Sequence, residues 1–136
     1  MWKRTGDAPT LVVCGTCRHA ADMREDETGQ RGGARLAEAL EAAQAADPRN
    51  DGIVVERMNC LFACAAHCAV HLRAPGKIGY VLGRFTPDAE AAEALLAFAR
   101  AYAASAEGRV PFRAWPAGVK GHFLARVPPA GLVLQE

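Results

Sequence analysis

Short apolar runs alternate with amphipathic stretches over the first hundred residues. Leu11-Val12-Val13 is a β-branched run ending directly in Cys14, the pattern of a buried strand that delivers a cysteine at its C-terminal end. Polar residues dominate from 18 to 33, with Gly29, Gly32 and Gly33 among them, and predict a loop. From Ala34, Leu36, Leu40 and Ala43 recur at helical spacing until Asp47-Pro48, where proline stops the helix near Ala46. Asn50-Asp51-Gly52 is a turn signal, and residues 53–58 form a second strand that runs into Asn59-Cys60.

Further on, Val70 and Leu72 alternate with His71 and Arg73, and Pro75-Gly76 turns the chain into residues 77–84, which predicts a β-hairpin. Thr86-Pro87-Asp88 then opens a helix, with Thr86 as N-cap and Pro87 at the first helical position. Ala92, Leu95, Leu96, Ala99 and Tyr102 carry it to about Ala104. The order β-α-β-β-β-α predicts an α/β (α+β) fold of thioredoxin-like connectivity, a central mixed four-stranded sheet with helices packed on it. The core spans about 10–104. After Glu107, four prolines (Pro111, Pro116, Pro128, Pro129) stand among Gly108, Gly118, Gly121 and Gly131, so residues 107–136 read as an irregular tail. Its apolar end, Gly131-Leu132-Val133-Leu134, calls for a covering surface and sets the expectation of a homodimer.

Length and charge narrow the function. A chain of 136 residues fits one domain, 1–136, that can bury a core without disulfides. Lys and Arg total 16 against 15 Asp and Glu, which leaves no basic field for nucleic acid. The charged start Met1-Trp2-Lys3-Arg4 lacks an apolar signal region and no long apolar run follows, so a cytoplasmic protein without membrane contact is expected. In a reducing compartment five cysteines point to metal binding or redox chemistry, and an odd number cannot pair completely.

Cys14 and Cys17 form a C-x2-C; Cys60, Cys64 and Cys68 form C-x3-C-x3-C. Each group follows a predicted strand, and parallel neighbouring strands would bring Cys14 and Cys60 to one rim of the sheet. Four thiolates saturate a tetrahedral zinc ion or both irons of a [2Fe-2S] cluster, and spacing alone does not separate the two. The bland alternative is that cysteine often serves as a small buried hydrophobe, a role that suits Cys68 best. A disulfide-exchanging dithiol at Cys14 and Cys17 is a further rival. That motif normally opens onto a helix N-terminus, whereas here a polar loop intervenes.

Val13-Cys14-Gly15-Thr16-Cys17-Arg18, the run Cys60-Leu61-Phe62-Ala63-Cys64-Ala65-Ala66-His67-Cys68, Ala74-Pro75-Gly76-Lys77 and Tyr80-Val81-Leu82-Gly83 resemble the bacterial DUF1636 family of predicted metal-binding proteins. More distantly the chain is similar to thioredoxin-like [2Fe-2S] ferredoxins. That resemblance implies that Cys14 matches the first-strand ligand, that Cys60 and Cys64 match a C-x3-C pair, and that Cys17 is the fourth ligand. The closer spacing of the first pair and the added Cys68 depart from the ferredoxin pattern, and Cys68 is an alternative ligand.

The resulting expectation is a ferredoxin-like electron carrier rather than an enzyme, with a [2Fe-2S] cluster and a redox partner protein. The alternative is a protein that holds Zn2+ or another transition metal in the same cysteines and passes it to a metal-receiving protein. His67 and His71 flank the cysteines, but four thiolates suffice without them, and His71 is expected to face solvent. His19 and His122 read as surface residues. Gly29 to Gly33 lack a phosphate-loop pattern, and no Ser/His/Asp set or carboxylate pair suggests hydrolysis.

Overall fold

The computed structural model describes residues 1–135 except His19 and Ala21, and of Cys64 the backbone only. Five strands and two long helices follow one another as β1 (Thr10–Cys14), α1 (Gly32–Ala46), β2 (Val54–Met58), β3 (Val70–Arg73), β4 (Gly79–Leu82), α2 (Ala89–Ala104) and β5 (Phe123–Val127). They form a mixed sheet in the order β2-β1-β3-β4-β5, in which β1 and β2 are parallel and the remaining pairs antiparallel. The fold is the expected mixed α+β arrangement with one strand more.

That fifth strand lies in the tail expected to be irregular. Residues 123–127 are long enough for only one short strand, and the prolines and glycines beside them hide it. Leu82 pairs with Phe123 and Gly79 with Val127 across a bulge. Around it the tail is tied down by Ile78 N–H to Glu107 O at 3.0 Å, Gly83 N–H to His122 O at 2.9 Å, and Trp115 Nε1–H to Val110 O at 2.9 Å. His122, expected at the surface, stacks on Phe85 with ring centroids 4.3 Å apart and places Nδ1 2.9 Å from Gly83 O. Beyond β5, Leu132, Val133 and Leu134 are exposed.

Both helices pack on one face of the sheet. Leu11 and Val13 of β1, Val70 and Leu72 of β3, and Tyr80 and Leu82 of β4 alternate toward that face and meet Leu36 and Leu40 of α1 and Leu95, Leu96, Phe98 and Tyr102 of α2. Each fully buried leucine contributes about 1.5–3 kcal/mol. Tyr80, Phe98 and Phe123 stand edge to face with centroids 5.2–5.6 Å apart. Among the described residues, no helix is long and apolar enough to cross a membrane.

Helix α2 begins two residues later than its sequence suggests. Asp88, not Thr86, is the N-cap: its carboxylate accepts from Ala91 N–H at 2.9 Å, while Thr86-Pro87 form a turn ahead of the helix. An aspartate there satisfies an orphan donor and also faces the positive end of the helix, which threonine does not match. Asp88→Ala is therefore expected to lower stability by about 1 kcal/mol, read as a shift in the denaturant midpoint at unchanged slope.

Candidate metal centre

The site is assembled by strand pairing. In β1, Cys14 is the last residue and stands in register with Met58, the last residue of β2, two positions before Cys60. Its N–H donates to Ala69 O at 3.0 Å, immediately after Cys68, and Gly15 N–H donates to Met58 O at 2.8 Å. The C-terminal ends of β1 and β2 and the start of β3 thus meet, and both cysteine groups lie along one rim. Asn59 fastens that rim. Its carbonyl accepts from the Thr16 hydroxyl and lies 3.9 Å from the Cys14 sulfur.

Helix α1 abuts the first cysteine pair in spite of the residues between them. Residues 22–31 form a loop tied by Asp26, which accepts from Thr28 N–H at 2.8 Å and Gln30 N–H at 2.9 Å and pairs with Arg35 at 2.9 Å. These bonds hold the Asp26 carboxyl well below the usual carboxylate range, the Thr28 hydroxyl contributing most. Gly33 N–H then donates to Cys17 O at 3.2 Å. A Cβ on Gly33 would lie 1.8 Å from the Cys14 carbonyl oxygen, so only glycine allows this approach. The intervening loop, weighed above against a dithiol, is therefore no barrier to placing a helix N-terminus beside Cys17.

The described thiols occupy unlike environments. Cys14, Cys17 and Cys68 are buried, at 2%, 5% and 0% exposure, whereas Cys60 is exposed. Cys17 hydrogen-bonds to the Cys14 sulfur, and this bond lowers the Cys14 pKa to about 5 against the opposing effect of burial. The proton stays on Cys17, whose pKa is raised by that same bond and then by burial. Burial, with the charge on Cys14 adding to it, pushes the Cys68 thiol up to about 12, and its sulfur lies 3.4 Å from Arg18 O. Two backbone donors already point at sulfur: Ala69 N–H at Cys17, 3.4 Å away, and Phe62 N–H at Cys60, 3.2 Å away. Cys64 begins a short 3-10 turn, Cys64–Ala66, and its side chain lies outside the described residues. Among the described residues, no three His, Cys, Asp or Glu side chains are grouped to hold a metal ion.

Of the histidines, His19 lies outside the described residues. His71 does not face solvent as expected: it sits half-buried on the sheet face away from the helices, in register with Val12 and Val81. A Cβ on Gly79 would come within 2.9 Å of its Nε2, which has no hydrogen-bond partner. Burial, and secondarily Arg73, lowers its pKa. The unfolded chain therefore takes up a proton near pH 6.5 that the folded protein resists. Stability from the neutral ring is fully present above that pH and is lost as pH falls below it toward the folded value. Denaturant midpoints at pH 8 and pH 5 should differ less for His71→Gln than for the parent protein.

Sequence reading did not find Gly33, Thr16 or the conformation of Phe62. The glycine pair at the start of α1 was the available signal for the first of these. Phe62, Cys68 and Arg84 adopt left-handed backbone angles (φ 59°, 54° and 63°), and Arg84 N–H donates to His67 O at 2.7 Å, beside Cys68. Among the described residues, every non-glycine in that region of backbone space belongs to this rim.

A mixed sheet with both helices on one face and cysteines at the rim defines a thioredoxin-like fold. A solved structure titled as a thioredoxin-like [2Fe-2S] ferredoxin from Aquifex aeolicus shares it, with a TM-score of 0.53 and 17% sequence identity over 94% of this chain and 100% of that one. Residues 11–129 match the family described as "Protein of unknown function (DUF1636)", and the chain belongs to that family. No curated protein matches the sequence.

Proposed function

We propose that the protein is a one-electron carrier that holds a [2Fe-2S] cluster in the thiolates of Cys14, Cys17, Cys60 and Cys64, with Cys68 as the alternative ligand, in the reducing cytoplasm. The observation that carries this reading is the meeting of β1, β2 and β3 at one rim, with Cys14 bonded to Ala69 and in register with Met58. The donor chemistry fits, because thiolates are the preferred ligands of iron–sulfur clusters. A bound cluster would supply a one-electron couple. The chain's part is to keep water from Cys14 and Cys17 by burial, to favour the Cys14 thiolate, and to aim the amides of Ala69 and Phe62 at sulfur, where such bonds tune potential. The ferredoxin of like fold adds to this reading.

One observation favours a second reading, a divalent ion such as zinc held by the same residues for delivery to a metal-receiving protein. Cys68 is buried, and the charge on Cys14 acts on it, so a fifth thiol lies near the first pair as a spare donor. A disulfide-exchange role is opposed by the burial of both Cys14 and Cys17, which a substrate disulfide could not reach.

Absorption of protein purified without oxygen, with iron, sulfide and zinc measured on the same sample, separates these readings. Visible bands with equal iron and sulfide support the carrier. Stoichiometric zinc without colour supports the second reading, and colourless protein without metal after reconstitution overturns both.

A further inference from the structure

The cysteine rim carries one large apolar side chain with no packing role. Phe62, between Cys60 and Cys64, is 94% exposed and is held in a left-handed conformation that a phenylalanine rarely adopts. Its own N–H is fixed on the Cys60 sulfur. Met58, at the end of β2, adds a partly exposed thioether on the same rim. Exposing an aromatic ring in strained backbone beside a candidate redox centre costs stability and contributes nothing to the core, which is the signature of a contact made with another molecule.

The charges nearby select the kind of molecule. The chain contains no Asp or Glu from residue 57 to residue 87, nor from 8 to 21, the two segments that bear all five cysteines. Of the cations in those segments, Arg57 is taken by Glu41 at 2.6 Å, and Arg73 and Lys77 flank the β3–β4 turn, at the other end of those strands. Arg18 and Arg84 remain at the rim: the Arg18 carbonyl faces the Cys68 sulfur, and the Arg84 N–H is bonded to His67 O. The carboxylates of the adjacent loop, Asp22, Glu25, Asp26 and Glu27, are met by Arg24, Arg31 and Arg35, with Asp26 paired to Arg35, so one loop carboxylate is set against the two rim cations Arg18 and Arg84. The edge around Phe62 therefore leans positive.

We propose that this rim is a docking surface for an acidic redox protein, with Phe62 entering an apolar hollow on the partner and Arg18 and Arg84 meeting carboxylates at its edge. The inference rests on the carrier reading and names the partner class for the same site. Weak electron-transfer contacts are small, so one aromatic anchor with a few charges is enough to orient them, and the charges act mainly on the rate of encounter.

The test uses two protein probes, a negatively charged one-electron flavoprotein and a lysine-faced c-type cytochrome, each titrated calorimetrically against the protein as purified and mixed with the reduced protein by stopped flow. The expected result is binding to the flavoprotein, weakened by salt. Phe62→Ser should lower by about tenfold the ratio of the flavoprotein rate to the rate with a small metal-ammine oxidant. Arg18→Glu should lower the flavoprotein rate and flatten its salt dependence. Preference for the cytochrome, or a Phe62→Ser variant with unchanged binding and rate ratio, would overturn the proposal. A sample without iron and sulfide fails the carrier reading alone, since the calorimetric titrations still decide whether an acidic face docks on Phe62.

Discussion

Replacing Gly33 with alanine is expected to destabilise the protein by about 3 kcal/mol and, on the proposed reading, to abolish metal retention, although alanine is the better helix former. The new Cβ would meet the Cys14 carbonyl oxygen at 1.8 Å, the Cys14 carbonyl carbon at 2.9 Å and the Cys17 nitrogen at 3.0 Å. All three are backbone atoms with no rotamer in which to retreat. Either α1 withdraws from β1, opening the core around Leu36 and Leu40, or the loop bearing Cys14 and Cys17 moves. The gain of up to about 1 kcal/mol in helix propensity offsets little of this. Gly52→Ala is the control: nothing lies within 4 Å of its would-be Cβ, so its denaturant midpoint should stay close to that of the parent. Equal midpoints for the two variants would refute the close-approach argument.

Cys60→Ala should remove the visible bands of the reconstituted protein while leaving its thermal transition nearly unchanged. The thiol is exposed and closes no core cavity, so its deletion costs the fold little and a proposed ligand everything. Cys68→Ala should behave oppositely. That side chain is fully buried within the main apolar cluster, so its loss leaves a small cavity worth about 1 kcal/mol, yet Cys14, Cys17, Cys60 and Cys64 still supply four thiolates. Visible absorbance and the melting transition, measured side by side on the two variants, would thus cross over. A variant of Cys60 that keeps full colour would remove it from the ligand set and promote Cys68.

The two strands that deliver cysteines were legible because β-branched runs stop abruptly at Cys14 and Asn59-Cys60, and the Asp-Pro break placed the end of α1 at Ala46. Periodicity reports burial against a neighbour and turn residues report local geometry, so these elements announce themselves. Strand β5 did not, because five residues between prolines and glycines have too short a period to register. The capping role of Asp88 was hidden by Thr86-Pro87, which carries an equally good local signal. At the site, the pattern nominated the cysteines as candidate ligands. It could not show that Gly33 closes on Cys14 or that His71 sits over Gly79, since both are contacts across the fold between segments with no common period. The left-handed turn at Phe62 has no signature in residue type, as phenylalanine is among the last residues expected there.

Cys14 closes β1, and its backbone partners across the sheet, Met58 and Ala69, come from more than forty positions further along the chain. A nascent polypeptide emerging as far as α1 therefore owns one dithiol and nothing else of the centre. Only after β3 has been synthesised and has threaded alongside β1 do the two cysteine groups share an address. On the proposed reading, insertion of the inorganic part therefore waits until β3 has paired with β1. Among the described thiols Cys60 is the exposed one, so on that reading it is the first point of contact with a metal donor.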